Sequence, residues 1–299
     1  MRLTFAASMR ESYEGIHSAA ERMIKYQRQV STGIRVGQPS DDPSATSTVI
    51  TEKAANATYE QYTQSGDSAE SRLAVADTLL SDIIDKLAAA RTSILSVQGS
   101  EATPAQRENG AQELASFRDA ILEDLTTSFR GTYVFGGAAG TVRPYSKDVN
   151  GVVQAYAGST SEVTVDIDRN RPVTVVFDGS AIAQGSDPAD LFAAFDDAIA
   201  AARAGDAAAL HTASHDLQRA FDRASQMQSS IGTSLRAIVD HTATLEEAGR
   251  AAKARVASLE EANMAETISG LQQSEIAYNA ALGAAARTTR RSLFDYLGL

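Results

Sequence analysis

His211 and His215 stand four residues apart in a stretch of helical periodicity, a spacing that puts two imidazoles on one helix face, and Asp216 adjoins them. Such a trio could begin a zinc site. The glutamate of a metalloprotease helix is missing and no third ligand is identifiable, so the pair reads as a solvated helix face. Asp166, Asp168 and Asn170 imitate the opening of a calcium loop, but Arg171 replaces the glycine that the sharp turn needs, and the alternating apolar residues make this a strand with charges pointing outward. Gly136, Gly137 and Gly140 follow the strand-like Tyr133-Val134-Phe135, yet no Gly-Lys-Ser/Thr follows and no helix opens there, so turn flexibility explains them better than phosphate binding. No serine sits in a nucleophile elbow, and none of His17, His211, His215 and His241 has a nucleophile beside it. The paired carboxylates Asp41 and Asp42 adjoin Pro43, where helix capping and the helix dipole account for them. No catalytic, metal or cofactor-binding residue is assigned, no cofactor is expected, and the chain reads as a non-enzyme.

The bulk composition agrees with a structural role. Of 299 residues 43% are hydrophobic and 22% charged, the balance of a water-soluble chain long enough for about two domains, and aromatics are only 6%. A formal net charge of -11 with no basic stripe excludes a nucleic-acid partner, because phosphate binding needs clustered Lys and Arg. Cysteine is absent, which removes disulfides, thiolate chemistry and cysteine-ligated metals. No apolar run is long enough to insert in a membrane, and Met1 to Glu11 lacks the pattern of a cleavable secretory signal.

The periodicity predicts mainly α structure with a small β insertion: a long antiparallel coiled-coil-like helical rod with paired N- and C-terminal helices. Phe5, Met9, Tyr13, Ile16, Ala20, Met23 and Val30 mark an amphipathic helix ending near Gly33. Pro39-Ser40-Asp41-Asp42-Pro43 breaks it and opens another, with Asp42 at the N-cap and Pro43 in the first helical position. The second helix carries a heptad seam from Tyr59 through Leu73, Leu80, Leu87 and Ile94 to Val97, roughly 80 Å at the helical rise. Thr103, Pro104 and Gln106 form a capping box for a third helix. From Gly131 the period becomes alternating, as in Val163, Val165, Ile167 and Val173, Val175, Phe177, with turns at Asn150-Gly151, Gly158-Ser159 and Asp178-Gly179. Asp187-Pro188 is expected to cap a short helix, and Gly205-Asp206 to separate it from a very long one whose seam slips near Asn263, a segment boundary. The expected domains are a terminal helical polymerisation domain (1–43 and 263–299), a rod (44–130 and 187–262) and a β-rich insertion (131–186).

Ser31-Thr32-Gly33-Ile34-Arg35-Val36-Gly37-Gln38-Pro39-Ser40-Asp41-Asp42-Pro43 resembles the signature of the flagellin superfamily, in the form carried by its members at the hook-filament junction. Filament flagellins usually lack the two prolines. Gly131-Thr132-Tyr133-Val134-Phe135-Gly136-Gly137 resembles a strand motif of those members, and the stretch from Asn263-Met264-Ala265-Glu266 through Tyr278 to Ser292-Leu293-Phe294-Asp295-Tyr296-Leu297 resembles the terminal helix of the superfamily, in order along the chain. Glu275 on the apolar seam and the extension Gly298-Leu299 depart from the pattern.

The resemblance implies an adaptor subunit of the bacterial flagellum, exported unfolded through the type III apparatus and located outside the cell between hook and filament, with filament flagellin as the alternative. It implies self-association in a ring or tube, another hook-associated protein on the hook side, flagellin on the filament side, and an export chaperone on the C-terminal helix. The expected polymerisation interface is Phe5, Met9, Tyr13, Ile16, Met23 and Val30 with Met264, Ile268, Leu271, Tyr278, Leu282, Leu293, Phe294 and Leu297. Periodicity alone fits an intramolecular coiled coil equally well; the resemblance favours the polymer.

Overall fold

The computed structural model describes residues 2–99, 102–149, 151–187 and 190–297, with the side chains of 2–6, 8 and 288–297 outside the description. Packing divides the chain into two compact units, Met1–Thr58 with Ala248–Leu299, and Tyr59–Glu247. Helices α2 (Pro43–Val97) and α6 (Ala207–Glu260) contribute to both. The sequence-based boundaries at 43 and 263 follow helix ends, whereas packing groups the first turns of α2 and the last turns of α6 with the termini.

In the unit 59–247, α2 and α6 run antiparallel: Gly66 lies against Thr242, and the Gln98 amide donates to the Ala207 carbonyl at 3.3 Å. A Cβ at Gly66 would come 2.8 Å from the Thr242 Oγ1, so any larger residue would make Thr242 shift. The heptad seam from Ala69 to Val97 is buried throughout and joins Leu210, Leu217, Ala224, Ile231 and Ile238 of α6 in one apolar core. Helix α3 (Pro104–Leu125) returns beside α2, with Ser93 donating to Glu113 at 2.7 Å and Lys86 to Asp124 at 2.6 Å. Its Thr103–Gln106 capping box is present as predicted. Helix α5 (Leu191–Ala204) packs antiparallel on α3 through the Glu108–Arg203 and Asp196–Arg118 pairs, and buries Phe192 and Phe195.

The β insertion consists of two two-stranded antiparallel sheets. The hairpin β1 (Ser128–Phe129) with β2 (Thr132–Tyr133) starts before the expected boundary at 131, because the turn Arg130-Gly131 (φ 51° and 82°) folds the chain back as soon as α3 ends. The second sheet pairs β3 (Val163–Asp166) with β4 (Pro172–Val176), in the alternating segments foreseen.

Two expectations are corrected. Asp178-Gly179 is not a turn between strands: Asp178 accepts the Ser180 amide at 2.8 Å and caps a short helix, α4 (Gly179–Ala183), whose five residues carry too little periodicity to be legible. Asp187 does not cap α5. It pairs with Arg219 and Arg223, the cap position falls to Asp190, and Pro188 lies outside the described residues.

Candidate functional site

The unit formed by 1–58 and 248–299 contains both terminal helices. Helix α1 (Arg2–Thr32) ends at Gly33, whose φ of 70° suits a residue without Cβ. Helix α7 (Met264–Leu297) starts at the expected slip, where Asn263 Oδ1 accepts the Ala265 amide at 3.2 Å as an N-cap. The Ala262 amide donates to the Gly33 carbonyl at 2.8 Å and Arg35 N to the Glu260 carbonyl at 2.6 Å, so the end of α1 is tied to the start of α7 and the two helices run back antiparallel, packed along each other.

The segment 33–43 is a small hydrogen-bonded knot. Asp42 Oδ1 accepts the Ala45 amide at 3.0 Å, the N-cap bond that the sequence predicts. Asp41 has a different task from the capping first assigned to the pair. Its carboxylate, 9% exposed, accepts the Gly37 and Gln38 amides at 3.3 and 3.1 Å and meets Arg28 at 3.3 Å and Lys25 at 3.6 Å, both on α1. Pro39 lies in the turn that Asp41 N closes on the Gln38 carbonyl at 2.9 Å, and Pro43 is the first residue of α2. The family motif thus fixes how the chain passes from α1 to α2. Nearby, Arg255 holds Glu52 with two bonds of 2.8 Å, which keep that carboxyl below the ordinary glutamate range, and Lys53 pairs with Glu260 at 2.7 Å.

The contact between α1 and α7 combines small and polar residues with half-buried larger ones, Ile16, Met23, Tyr26 and Val30 on α1 and Leu271 and Tyr278 on α7. Ala19, Gln29, Thr267 and Ser274 are buried, and Gly270 lies against the Tyr26 ring, where a Cβ would come within 2.6 Å of Cε1. A second set of large apolar residues lies off this contact. On α7 the buried and half-buried stripe runs 267, 270, 271, 274, 278, and at about 100° per residue Met264, Leu282 and Ile268 lie roughly 20 to 60° beyond its edge. All three are exposed, as are Met9, Tyr13 (71%) and Ile24 on α1 and Ile276 (71%) on α7.

Of the expected interface, Met9, Tyr13, Met264, Ile268 and Leu282 are therefore exposed, while Ile16, Met23, Val30, Leu271 and Tyr278 are half-buried. The side chains of Phe5, Leu293, Phe294 and Leu297 lie outside the described residues, as does Gly298-Leu299. Glu275 is exposed among the outward apolar residues of α7. Ile24 and Ile276 escaped the sequence reading because they stand off the three-and-four seam that was followed; a search for large apolar residues on the opposite faces would have found them.

Of the groups considered for chemistry, His17 lies on α1 with Nδ1 3.4 Å from Glu21, and the other histidines, the Asp166–Asn170 stretch and Gly136–Gly140 lie in the other unit. His215 Nδ1 is 3.0 Å from Arg219, a cation where a metal site would need another ligand. Asp168 meets His241 at 3.1 Å and so latches the β3–β4 turn to α6. Gly137 passes so close to the Ser159 carbonyl, at φ 57°, that a side chain would collide with it. Among the described residues no cluster of three metal-ligating side chains occurs.

Residues 4–140 match the family described as the bacterial flagellin N-terminal helical region. More particularly, the chain is similar to the flagellar hook-associated protein 3 of Escherichia coli K12, with 26% identity over 258 residues, 79% of this chain and 80% of the relative. Its fold is that of FlgL from Xanthomonas campestris (17% identity, TM-score 0.62, covering 69% of this chain and 99% of the other). It is likewise that of the flagellar junction protein FlgL from Legionella pneumophila (13% identity, TM-score 0.58, covering 73% and 100%).

Proposed function

We propose that this chain is a structural, non-enzymatic subunit of the bacterial flagellum that joins the hook to the flagellin filament from outside the cell. It associates with its own copies in a ring or tube, with another hook-associated protein on one side and flagellin on the other. An export chaperone holding α7 before assembly belongs to the same reading. The observation that carries it is the apolar surface left on the α1–α7 pair: Ile16, Met23, Val30, Leu271 and Tyr278 are only half-buried, and Met9, Tyr13, Ile24, Ile268, Ile276 and Leu282 face solvent. Apolar area left in water on two adjacent helices is stabilised when a neighbour covers it, at about 25 cal/mol per Å2. Assembly then supplies the burial that the isolated unit lacks, and ordering of the terminal helices is coupled to incorporation.

The likeness to hook-associated protein 3 supports the junction role over that of a filament flagellin, and the Pro39 to Pro43 motif points the same way. The test is a deletion strain. Secreted flagellin that fails to form filaments, restored by the full chain supplied in trans, is the expected result; loss of the filament subunit itself would identify a flagellin instead.

A further inference from the structure

The unit 59–247 contains a cleft of about 770 Å3 between α2 and the β insertion. Its floor is apolar, formed by Phe129, Val163, Val165 and Val175, and α2 lines it from Gln61 to Arg72, roughly 16 Å of helix. That length accommodates an extended segment of about five residues.

Two guanidiniums border the cleft. Arg72 is half-buried and donates to the Val175 carbonyl at 2.9 Å, Thr132 Oγ1 at 2.7 Å and the Tyr133 carbonyl at 2.9 Å, all neutral acceptors, which leaves two of the five N–H groups of an arginine over. Burial, with no carboxylate to oppose it, pulls its pKa below the ordinary arginine value. Arg130 stacks on Phe129 at 5.1 Å and likewise has no carboxylate partner among the described residues. Elsewhere in this acidic chain Arg28, Lys86, Arg118, Arg203, Arg223 and Arg255 are all paired with carboxylates. Arg130 also occupies the first central position of a two-residue hairpin turn with φ 51°, a left-handed conformation that Asn, Asp or Gly adopts at lower cost. Such a conformation, kept for a charged residue beside an apolar cleft, directs attention to binding.

We infer that this cleft binds an extended acidic peptide segment of a partner protein, with the apolar side chains of the segment on the valine and phenylalanine floor and its carboxylates at Arg72 and Arg130. The inference is independent of the assembly reading, because every residue it uses belongs to the unit 59–247.

The experiment titrates the full chain with a fluorescent peptide of alternating leucine and glutamate, and with a matched peptide of leucine and glutamine. Binding of the acidic peptide alone, weakened by added salt, is expected. Arg130→Asn relieves the turn, so this variant should melt at or above the wild-type temperature while its affinity falls about tenfold. Val165→Thr, which keeps the shape but adds a hydroxyl to the floor, should also weaken binding. Equal binding of both peptides, no binding of either, or an Arg130→Asn variant of unchanged affinity would overturn the proposal. So would binding of anionic phospholipid vesicles without binding of the peptide.

Discussion

The Arg28 guanidinium on α1 lies 3.3 Å from the Asp41 carboxylate, which at the same time accepts two amides of its own loop, while the adjacent Asp42 caps α2. Neighbours in sequence thus serve different elements. Asp41→Ala leaves two amides and two cations without their acceptor and is expected to cost about 1–3 kcal/mol. Asp42→Ala loses one capping bond and is expected to cost about 1 kcal/mol. Urea unfolding followed by circular dichroism measures both. An Asp41 variant as stable as wild type would mean that the Arg35–Glu260 backbone bond and the burial of Val36 hold the knot without it.

Ile268→Asp combined with Leu282→Asp is expected to leave a folded, exported chain that builds no filament on the deletion background. Both positions are solvated in the isolated chain, at 44% and 41% exposure, so the carboxylates cost little there. Covered by a neighbour, each would require several kcal/mol of desolvation. Leu271, half-buried, is less informative because it also contributes to the chain's own packing. Normal filaments from the double variant would remove this face from assembly.

Amide exchange in the monomer should be faster along α1 and α7 than between residues 73 and 94 of α2, whose seam is fully buried. Along α1 and α7 only Ala19, Gln29, Thr267 and Ser274 are buried among the described side chains, and the large apolar residues are half-buried or exposed. Equal protection of both regions would show that the terminal helices are stable before assembly.

Burial holds the Asp190 carboxyl above the ordinary aspartate range, and its Oδ1 is buried without a hydrogen-bond partner. The folded chain therefore binds this proton more tightly than the unfolded chain. The resulting stabilisation is complete below the unfolded pKa and is lost as pH rises through the folded one. Asp190→Asn should accordingly be more stable than wild type near pH 7, with the difference closing below about pH 3. Thermal melts across that range check it; a gain that persists undiminished at low pH would point to a cause other than the buried charge.

Sequence by itself determined the features whose causes are local. The box of Thr103 and Gln106, the cap of Asp42 before Pro43, the stop at Gly205 and the break at Asn263 each depend on residues within one turn of one another, and the burial of the α2 seam follows from its heptad period. The tertiary structure decided whatever depends on residues far apart in the chain. It turned Asp41 toward Arg28, gave Asp187 to Arg219 and Arg223 instead of a helix end, and placed Arg72 and Arg130 on one cleft. It also chose which face of α1 and α7 turns inward: the Tyr26 ring packs on Gly270 and Met23, Val30, Leu271 and Tyr278 are half-buried, while Met9, Tyr13, Ile268 and Ile276 stay outside. A hydrophobic period states only that a face is apolar; the contacts of the folded chain decide how far that face is covered by the same chain.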